Sequence, residues 1–407
     1  MKVLLVNDNA LPTAGAEILA LTLRDGLRRR GHNARLFTSS ARPIEANSPA
    51  DYECFGTTSS FRTLLQTLNP WAFWRLRHVL AEFRPDVVHV LMFLTQLSPL
   101  ILPLLKEVPS IFHVQWYRPI CPVGTKMLPD GRACQKRAGW VCYRSRCLPA
   151  RDWLLLMLQM KLWRRWRHSF DLIVANSEAV RQRLTADGIE SVEVMWNGVS
   201  VRPPRPALAW PPTVAFAGQM ARTKGVDVLL SAFVRVVREI PEARLLLAGD
   251  GPEREALARL ILQLGLSSST SALGHLPHSE LERHFAPAWV QAVPSRWAEP
   301  FGLVAAEAMM RGTAVVASNS GGLAEIVRDG RTGFLVPPGD SDRLAEALLR
   351  LLRDRELAEK MGRAGREVAL SQFSEDCCVE GFLLSYERLL ALESNHRSRR
   401  SLSHAAW

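Results

Sequence analysis

No stretch of 18 uninterrupted apolar residues occurs in the 407-residue sequence, so it offers no candidate for a membrane-spanning helix. The nearest approach, "VLMFLTQLSPLILPLL", is broken by polar residues and two prolines and reads as a strand followed by a helix. An export signal is missing as well. In "MKVLLVNDNALPTAGAE" the apolar core is five residues long and Asp8 and Glu17 follow at once, so the segment reads as a first β-strand. Cysteine is scarce and odd in number, seven, which argues for free thiols in the cytoplasm rather than a disulfide framework. The ten histidines show no ligand spacing, a G-x-G-x-x-G fingerprint is absent, and no nucleophile-and-base arrangement stands out.

Acidic residues are also scarce, but only in one place. The net charge is +11; residues 1–200 hold 26 Lys and Arg against 16 Asp and Glu, while 201–407 are nearly balanced at 25 against 24. Residues 118–167 alone contain 12 basic residues and 2 acidic ones. An imbalance confined to one segment points to an anionic partner, a membrane surface or a phosphate-bearing molecule, met by one face of the N-terminal half. Nucleic acid is disfavoured because no recognised nucleic-acid module accompanies the charge. The segment ends in "DWLLLMLQMKLWRRWRHSF", where Lys161, Arg164, Arg165 and His168 share one helical face and Leu155, Leu158, Leu162 and Trp166 lie roughly on another. This is the pattern of an interfacial basic helix, and it places the protein on the inner face of the membrane as a peripheral component.

Apolar runs alternate with helix-like segments along both halves, which predicts an α/β protein with two doubly wound parallel sheets. The strand candidates are "KVLLVN", "NARLFT", "DVVHVL", "SIFHVQ", "DLIVANS" and "VEVMWN", then "TVAFAGQ", "ARLLLAG", "SALGHL", "WVQAVPS", "AVVASNS" and "GFLVPPG". Five prolines in "SVRPPRPALAWPPT" mark a linker. The expected domains are 1–200, a linker at 201–212, 213–375, a helix at 376–392 returning to the first domain, and a disordered tail at 393–407. Ligands in such sheets bind at the carboxyl ends of the strands.

Three strand-to-helix loops carry charge or glycine. "NDNALPTAGAEILALTL" leads from a strand into a helix that starts near Gly15, an arrangement whose amides hold phosphate. "AGQMARTKGVDVLL" places Arg222 and Lys224 before another helix, where cations oppose the helix dipole and so call for an anion. In "SRWAEPFGLVAAEAMMRG", Glu299 precedes and Glu307 sits within a short apolar run, Leu303 to Met310, that reads as a buried helix. A buried carboxylate needs hydroxyls or a cation. Asp340 and Asp342 in "GDSDRLAEALL" read as a helix cap and first turn rather than a metal pair. Cys121, Cys134, Cys142 and Cys147 lack the C-x-x-C pairs of common zinc sites, so free thiols are the first reading and a loop-tying zinc the second.

"EPFGLVAAEAM", preceded by "AVPS" and followed by "GTAVVASNSGGLAEIV", resembles the E-x7-E signature of the retaining glycosyltransferases of family 4, with their GT-B architecture of two Rossmann-like domains facing a cleft. The likeness extends to "LLLAGDGPER", "WNGV" and "GRTGFLVPPGD". It implies a metal-independent enzyme that needs no cofactor and moves a sugar from a UDP- or GDP-linked donor to a saccharide or lipid-linked acceptor in cell-surface polysaccharide or glycolipid synthesis. By position it implies that Glu307 binds the ribose, Glu299 lies against the donor sugar, and Phe301, Gly302 and Leu303 offer backbone amides. Lys224, with Gln219 and Arg222 nearby, would meet the diphosphate; Gly15 would bring backbone close to it; His113 would touch sugar or acceptor. Arg118, Lys161, Arg164 and Arg165 are the candidates for acceptor or membrane contact. Two positions depart from the family pattern: Gln219 where arginine is frequent, and Ala14 where a second glycine is frequent. An epimerase of the same architecture and a non-catalytic nucleotide-sugar-binding membrane protein are the alternatives.

Overall fold

The computed structural model describes residues 1–11, 15–41, 48–59 and 61–404, with side chains through residue 392. Two compact units emerge: Met1–Gly198 with Glu375–Trp407, and Val199–Ser374. In the first, parallel strands β1 (Lys2–Val6), β2 (Asn33–Ser39), β3 (Tyr52–Cys54), β4 (Val87–Val90), β5 (Ser110–Val114), β6 (Leu172–Ala175) and β7 (Val192–Val194) run in the order β3-β2-β1-β4-β5-β6-β7. In the second, β8 (Thr213–Ala217), β9 (Arg244–Ala248), β10 (Thr270–Gly274), β11 (Val290–Val293), β12 (Ala314–Ser318) and β13 (Gly333–Val336) run β10-β9-β8-β11-β12-β13, again all parallel. The strands are near-continuous apolar runs because both faces of a parallel sheet are covered. β4, β5, β11 and β12 have no exposed position. Each of the twelve apolar runs contains a strand; three-residue β3, too short for a periodic signal, is the addition.

The helices of the first unit are α1 (Gly15–Arg29), α2 (Arg62–Thr67), α3 (Pro70–Phe83), α4 (Trp140–Arg144), α5 (Ala150–Trp166) and α6 (Glu178–Ala186). Those of the second are α7 (Val226–Glu239), α8 (Arg254–Gln263), α9 (His278–Phe285), α10 (Leu303–Arg311), α11 (Leu323–Ile326), α12 (Ser341–Arg353) and α13 (Arg355–Gln372). α7 shows how sequence sets position: Val226, Leu229, Leu230, Phe233 and Val236 recur at helical spacing and are buried in the second core. α14 (Glu375–His404) belongs to the first unit, where Val379, Phe382 and Tyr386 join Leu19 and Leu23 of α1 in one core. Gly26 permits that approach, since a Cβ there would lie 2.6 Å from Val379 Cγ2. The backbone of α14 stays helical through residue 404, where the sequence suggests a disordered tail: no proline or glycine after Gly381 interrupts the ladder. Residues 405–407 lie outside the described residues.

In each sheet the chain winds outward one way and then restarts on the other side of its first strand. The reversal falls between β1 and β4 in the first unit and between β8 and β11 in the second. At such a switch point the loops leaving the two carboxyl ends diverge and leave a crevice for a ligand.

Candidate active site

Three loops are stitched together at the second switch point. The loop after β8 contains Gln219, Arg222 and Lys224, the loop after β11 runs to Gly302, and the loop after β12 holds Gly321 and Gly322. The backbone amide of Arg296 donates to Thr223 O at 2.8 Å, that of Gly322 donates to Glu299 O at 2.8 Å, and Arg296 grips Asp227 in the first turn of α7 at 3.0 and 2.6 Å. Glycine is needed where these loops touch: Gly225, at φ +68°, would place a Cβ 2.1 Å from Pro294 O, and Gly321, at φ +59°, one 2.3 Å from Glu299 O.

Within this weave the Nζ of Lys224 lies 2.6 Å from Glu299 Oε1, which also accepts a 2.6 Å hydrogen bond from Ser295 Oγ. Burial alone would raise the Glu299 carboxyl; the Lys224 charge and hydrogen bonds from Lys224, Ser295 and Trp297 override it and hold the group below the usual carboxylate range. Lys224 also sits 5.2 Å from the centroid of the Trp297 ring. Arg222 and Gln219 are exposed beside it. Among the described residues Arg222 has no acidic partner, so one cation of the loop is paired and one is free.

Glu307 lies on α10, whose Ala305, Ala306, Ala308, Met309 and Met310 are buried. Its carboxyl is raised by burial, against the opposing charges of Arg202 and Arg311. Those two arginines are occupied by Glu282, Arg311 Nη1 at 2.6 Å, and the nearest ion-pair contact of Glu307 is His278 Nε2 at 3.8 Å. Among the described residues no side chain donates a hydrogen bond to it, which leaves a half-buried acceptor prepared for hydroxyls. α10 starts after Gly302, at φ +109°, with no side-chain cap, while Phe301 is locked against Phe373 at 5.8 Å between ring centroids. Glu299, Lys224, Gln219, Arg222, Phe301, Gly302, Leu303 and Glu307 are thus all on α10 or the loops that meet in the second unit.

In the first unit, Gly15 is the first residue of α1; Ala14 lies outside the described residues. The loop after β1 is tied to that after β4 by Asp8, which accepts from Thr95 N, Thr95 Oγ1, Gln96 N and Leu97 N at 2.7–2.9 Å. His113 is displaced from its expected role. It is fully buried inside β5, 4.8 Å from the Phe382 ring and 5.6 Å from His89, and burial pushes its pKa down to about 3, with a Met195 backbone contact opposing. The residue at the carboxyl end of β5 is Gln115, two positions on, because alternate strand positions continue toward the strand end. Gln115 accepts from Asn197 Nδ2 at 2.9 Å through its side chain and from Asn176 Nδ2 at 3.2 Å through its backbone. These strand-end amides and Asp8 escaped the sequence reading; the available signal was a polar residue at or just after the end of the apolar runs "KVLLVN", "SIFHVQ", "DLIVANS" and "VEVMWN".

Arg118 is also displaced. It is buried, its Nη2 donating to Gln66 Oε1 at 3.0 Å, Leu94 O at 3.3 Å and Gln159 Oε1 at 3.4 Å, and burial pushes its pKa down to about 10, so it is a clasp and not a surface contact. Lys161, Arg164 and Arg165 are exposed. The buried stripe of α5 is Leu156, Gln159, Met160 and Trp163, one position off the expected apolar face. Asp340 caps α12 by accepting from Arg343 N at 2.9 Å. All seven cysteines are free thiols, and among the described residues no group of three or more His, Cys, Asp or Glu is arranged to hold a metal.

A family model described as Glycosyltransferase Family 4 matches residues 13–202, and one described as Glycosyl transferases group 1 matches residues 205–368. The chain belongs to glycosyltransferase family 4. Among relatives of this family-4 chain, a GDP-mannose-dependent alpha-(1-6)-phosphatidylinositol monomannoside mannosyltransferase of Mycobacterium tuberculosis is 32% identical over 244 residues, 55% of this chain and 63% of that protein. The chain therefore spans less than two thirds of the length of the first curated relatives it matches. Among solved structures, sucrose-phosphate synthase from Thermosynechococcus elongatus superposes with a TM-score of 0.75 at 23% identity, covering 96% of this chain and 100% of that one. Anabaena HepE in complex with UDP gives a TM-score of 0.68 at 20% identity, covering 95% and 100%. At those identities the likeness is one of fold: two parallel-sheet, Rossmann-like domains of GT-B type.

Proposed function

We propose that this family-4 protein is a retaining glycosyltransferase that moves a sugar from a nucleotide-sugar donor to a saccharide or lipid-linked acceptor. The observation that carries the reading is the pairing of roles in one woven site: a mostly buried Glu307 to which no side chain among the described residues donates a hydrogen bond, and cations Lys224 and Arg222 at the mouth of the same sheet. A carboxylate that accepts two hydroxyls suits a ribose, and cations beside uncapped helix N-termini suit a diphosphate. When the bond from the anomeric carbon to the diphosphate oxygen breaks, the electron pair leaves with the nucleoside diphosphate. Lys224, Arg222 and the first-turn amides of α10 stabilise that departing charge, and the acceptor oxygen forms the new bond to the anomeric carbon as its proton passes to the departing diphosphate oxygen. Because these groups are fixed before the reaction, the site supplies positive charge without a metal ion.

Glu299 holds Lys224 in place and lies against the donor sugar. Gln219 and the backbone of Phe301, Gly302 and Leu303 complete the donor contacts of the second unit, and Gly15, the first residue of α1, is the phosphate-contact candidate of the first unit. His113 is withdrawn from catalysis. Gln115, partly exposed and held by the buried Asn176 and Asn197, is the first-unit candidate for contact with the acceptor. A UDP- or GDP-linked donor is in keeping with the UDP of HepE and the GDP-mannose of the mycobacterial relative, and the phosphatidylinositol monomannoside named for that relative supports a lipid-linked acceptor. The test is thermal unfolding with UDP, GDP, ADP and their common sugar derivatives: one nucleotide family should raise the midpoint in proportion to the logarithm of its concentration. No shift with any of them would remove the donor reading.

A further inference from the structure

The first unit carries a cluster of exposed large apolar side chains that the donor site does not use. Phe61 is 70% exposed, Trp74 62%, Trp71 54% and Leu64 47%, and on the neighbouring α5 Leu154 is 66% and Leu158 40% exposed. An isolated exposed leucine means little, whereas a contiguous set of aromatics marks an interaction surface. These residues are held in one platform. α2 and α3 are joined through Asn69, which caps α3 at Ala72 N and donates to Phe55 O and Gln96 O. α2 packs on α5: Thr67 Oγ1 donates to Leu155 O at 3.2 Å, Gln159 Nε2 to Gln66 O, and the buried Arg118 clasps Gln66 and Gln159 together. A rigid base presenting loosely covered tryptophans is not explained by packing of the core.

The charge around this platform is predominantly positive. Residues 61–77 contain Arg62, Arg75 and Arg77 and no acid, and α5 carries Arg151, Lys161, Arg164 and Arg165 against a single Asp152. Arg77 lies 5.5 Å from the centroid of the Trp74 ring. Protein interfaces also enrich tryptophan and arginine, but they deplete lysine and do not call for a one-sided excess of cations, whereas an anionic lipid headgroup region takes tryptophan, lysine and arginine side by side. We propose that the exposed faces of α2, the first turns of α3 and α5 form one docking face for an anionic lipid bilayer. Phe61, Trp71 and Trp74 enter the boundary between headgroups and acyl chains, with Leu64, Leu154 and Leu158 beside them, while Arg62, Lys161 and Arg165 lie on lipid phosphates. The proposal deepens the lipid-linked acceptor reading and rests on it for the purpose of docking; the binding itself is independent of the donor chemistry.

Flotation with vesicles of phosphatidylglycerol and phosphatidylcholine tests it. The full chain should float at low salt, float less as salt rises, and bind pure phosphatidylcholine weakly. The Trp71→Ala/Trp74→Ala variant should lose at least about tenfold in vesicle affinity, while its unfolding midpoint and its transfer to a soluble sugar acceptor match the parent, because both side chains are exposed and remote in sequence from the donor loops. Brominated lipids should quench the parent's fluorescence more than the variant's. A parent that does not float at low salt, or a tryptophan pair variant that floats like the parent, would overturn the docking face. A concentration-dependent dimer lost in the variant would also overturn it and assign the face to a second copy of the chain. Failure of the transferase reading is seen separately, as an intact protein that binds vesicles but neither binds nor consumes a nucleotide sugar.

Discussion

Replacing Lys224 by Met should destabilise the second unit by roughly 2–3 kcal/mol at neutral pH, by leaving Glu299 buried and unpaired. The ion pair is 2.6 Å long, with the Glu299 side chain 9% and the Lys224 side chain 25% exposed. Complete burial would put the loss at about 3–5 kcal/mol, and the exposed quarter of the lysine argues for the lower figure. The pH dependence follows with a definite sign. In the parent the Glu299 pKa is depressed in the folded state, so its stabilisation is present above the ordinary value of 4.5 and is lost as pH falls through the folded value. Without Lys224, burial dominates and the folded pKa rises, so protonation relieves the variant as pH falls. The difference in unfolding free energy between parent and Lys224→Met should therefore shrink from neutral pH to below about pH 4. Urea unfolding across that range measures it, and a Glu299→Gln/Lys224→Met cycle should recover a coupling of about 1–3 kcal/mol. A difference that stays constant with pH, or a cycle without coupling, would refute the reasoning.

Glu307→Ala should weaken nucleotide binding by about 1.5–3 kcal/mol, the range for hydrogen bonds to a charged group, with titration calorimetry as the check; unchanged affinity would remove the ribose assignment. His113, pushed down to about 3 by burial, and His89, also held below its ordinary value, bind protons more tightly in the unfolded chain, so their contribution is present above pH 6.5 and is lost as pH falls. His113→Gln should accordingly flatten the dependence of stability on pH between about 6 and 4.5 by about 1.4 kcal/mol per pH unit, and an unaltered slope would contradict the burial account. If Lys224 and Arg222 supply the charge as proposed, transfer activity should survive EDTA; loss restored by magnesium or manganese would point to a metal the proposal does not include.

Much of the fold was legible because buried parallel strands announce themselves as unbroken apolar runs; the partly exposed edge strand β10 was read from the weaker run "SALGHL". β3 was not, since Tyr52–Cys54 is too short to carry a period. On the site, Glu307 was visible as a charge where burial was expected, Glu299 as an acid just before that helix and Lys224 as a cation opposing a helix dipole; the structure adds that Lys224 already meets Glu299, while among the described residues no side chain donates a hydrogen bond to Glu307. His113 misled because a histidine near a strand end looks the same whether it points into the core or out of the sheet, and a two-residue step decides which residue reaches the mouth. Arg118 misled because composition counts a buried clasp as surface charge. The docking platform was half legible: α5 showed its cations, but Phe61, Trp71 and Trp74 only become a patch when α2 and α3 are laid beside it.

The proposed function requires this chain to cleave a nucleotide sugar and pass the sugar on. The most direct measurement follows a radiolabelled donor, in the nucleotide family that stabilises the protein, through incubation with saccharide and lipid-linked acceptors. The account predicts label in an acceptor product of retained anomeric configuration, one nucleoside diphosphate released per sugar moved, and a large loss of turnover in Glu299→Gln with donor still bound. Donor bound but never consumed by the parent, or converted to a free epimeric sugar without any acceptor product, would contradict it.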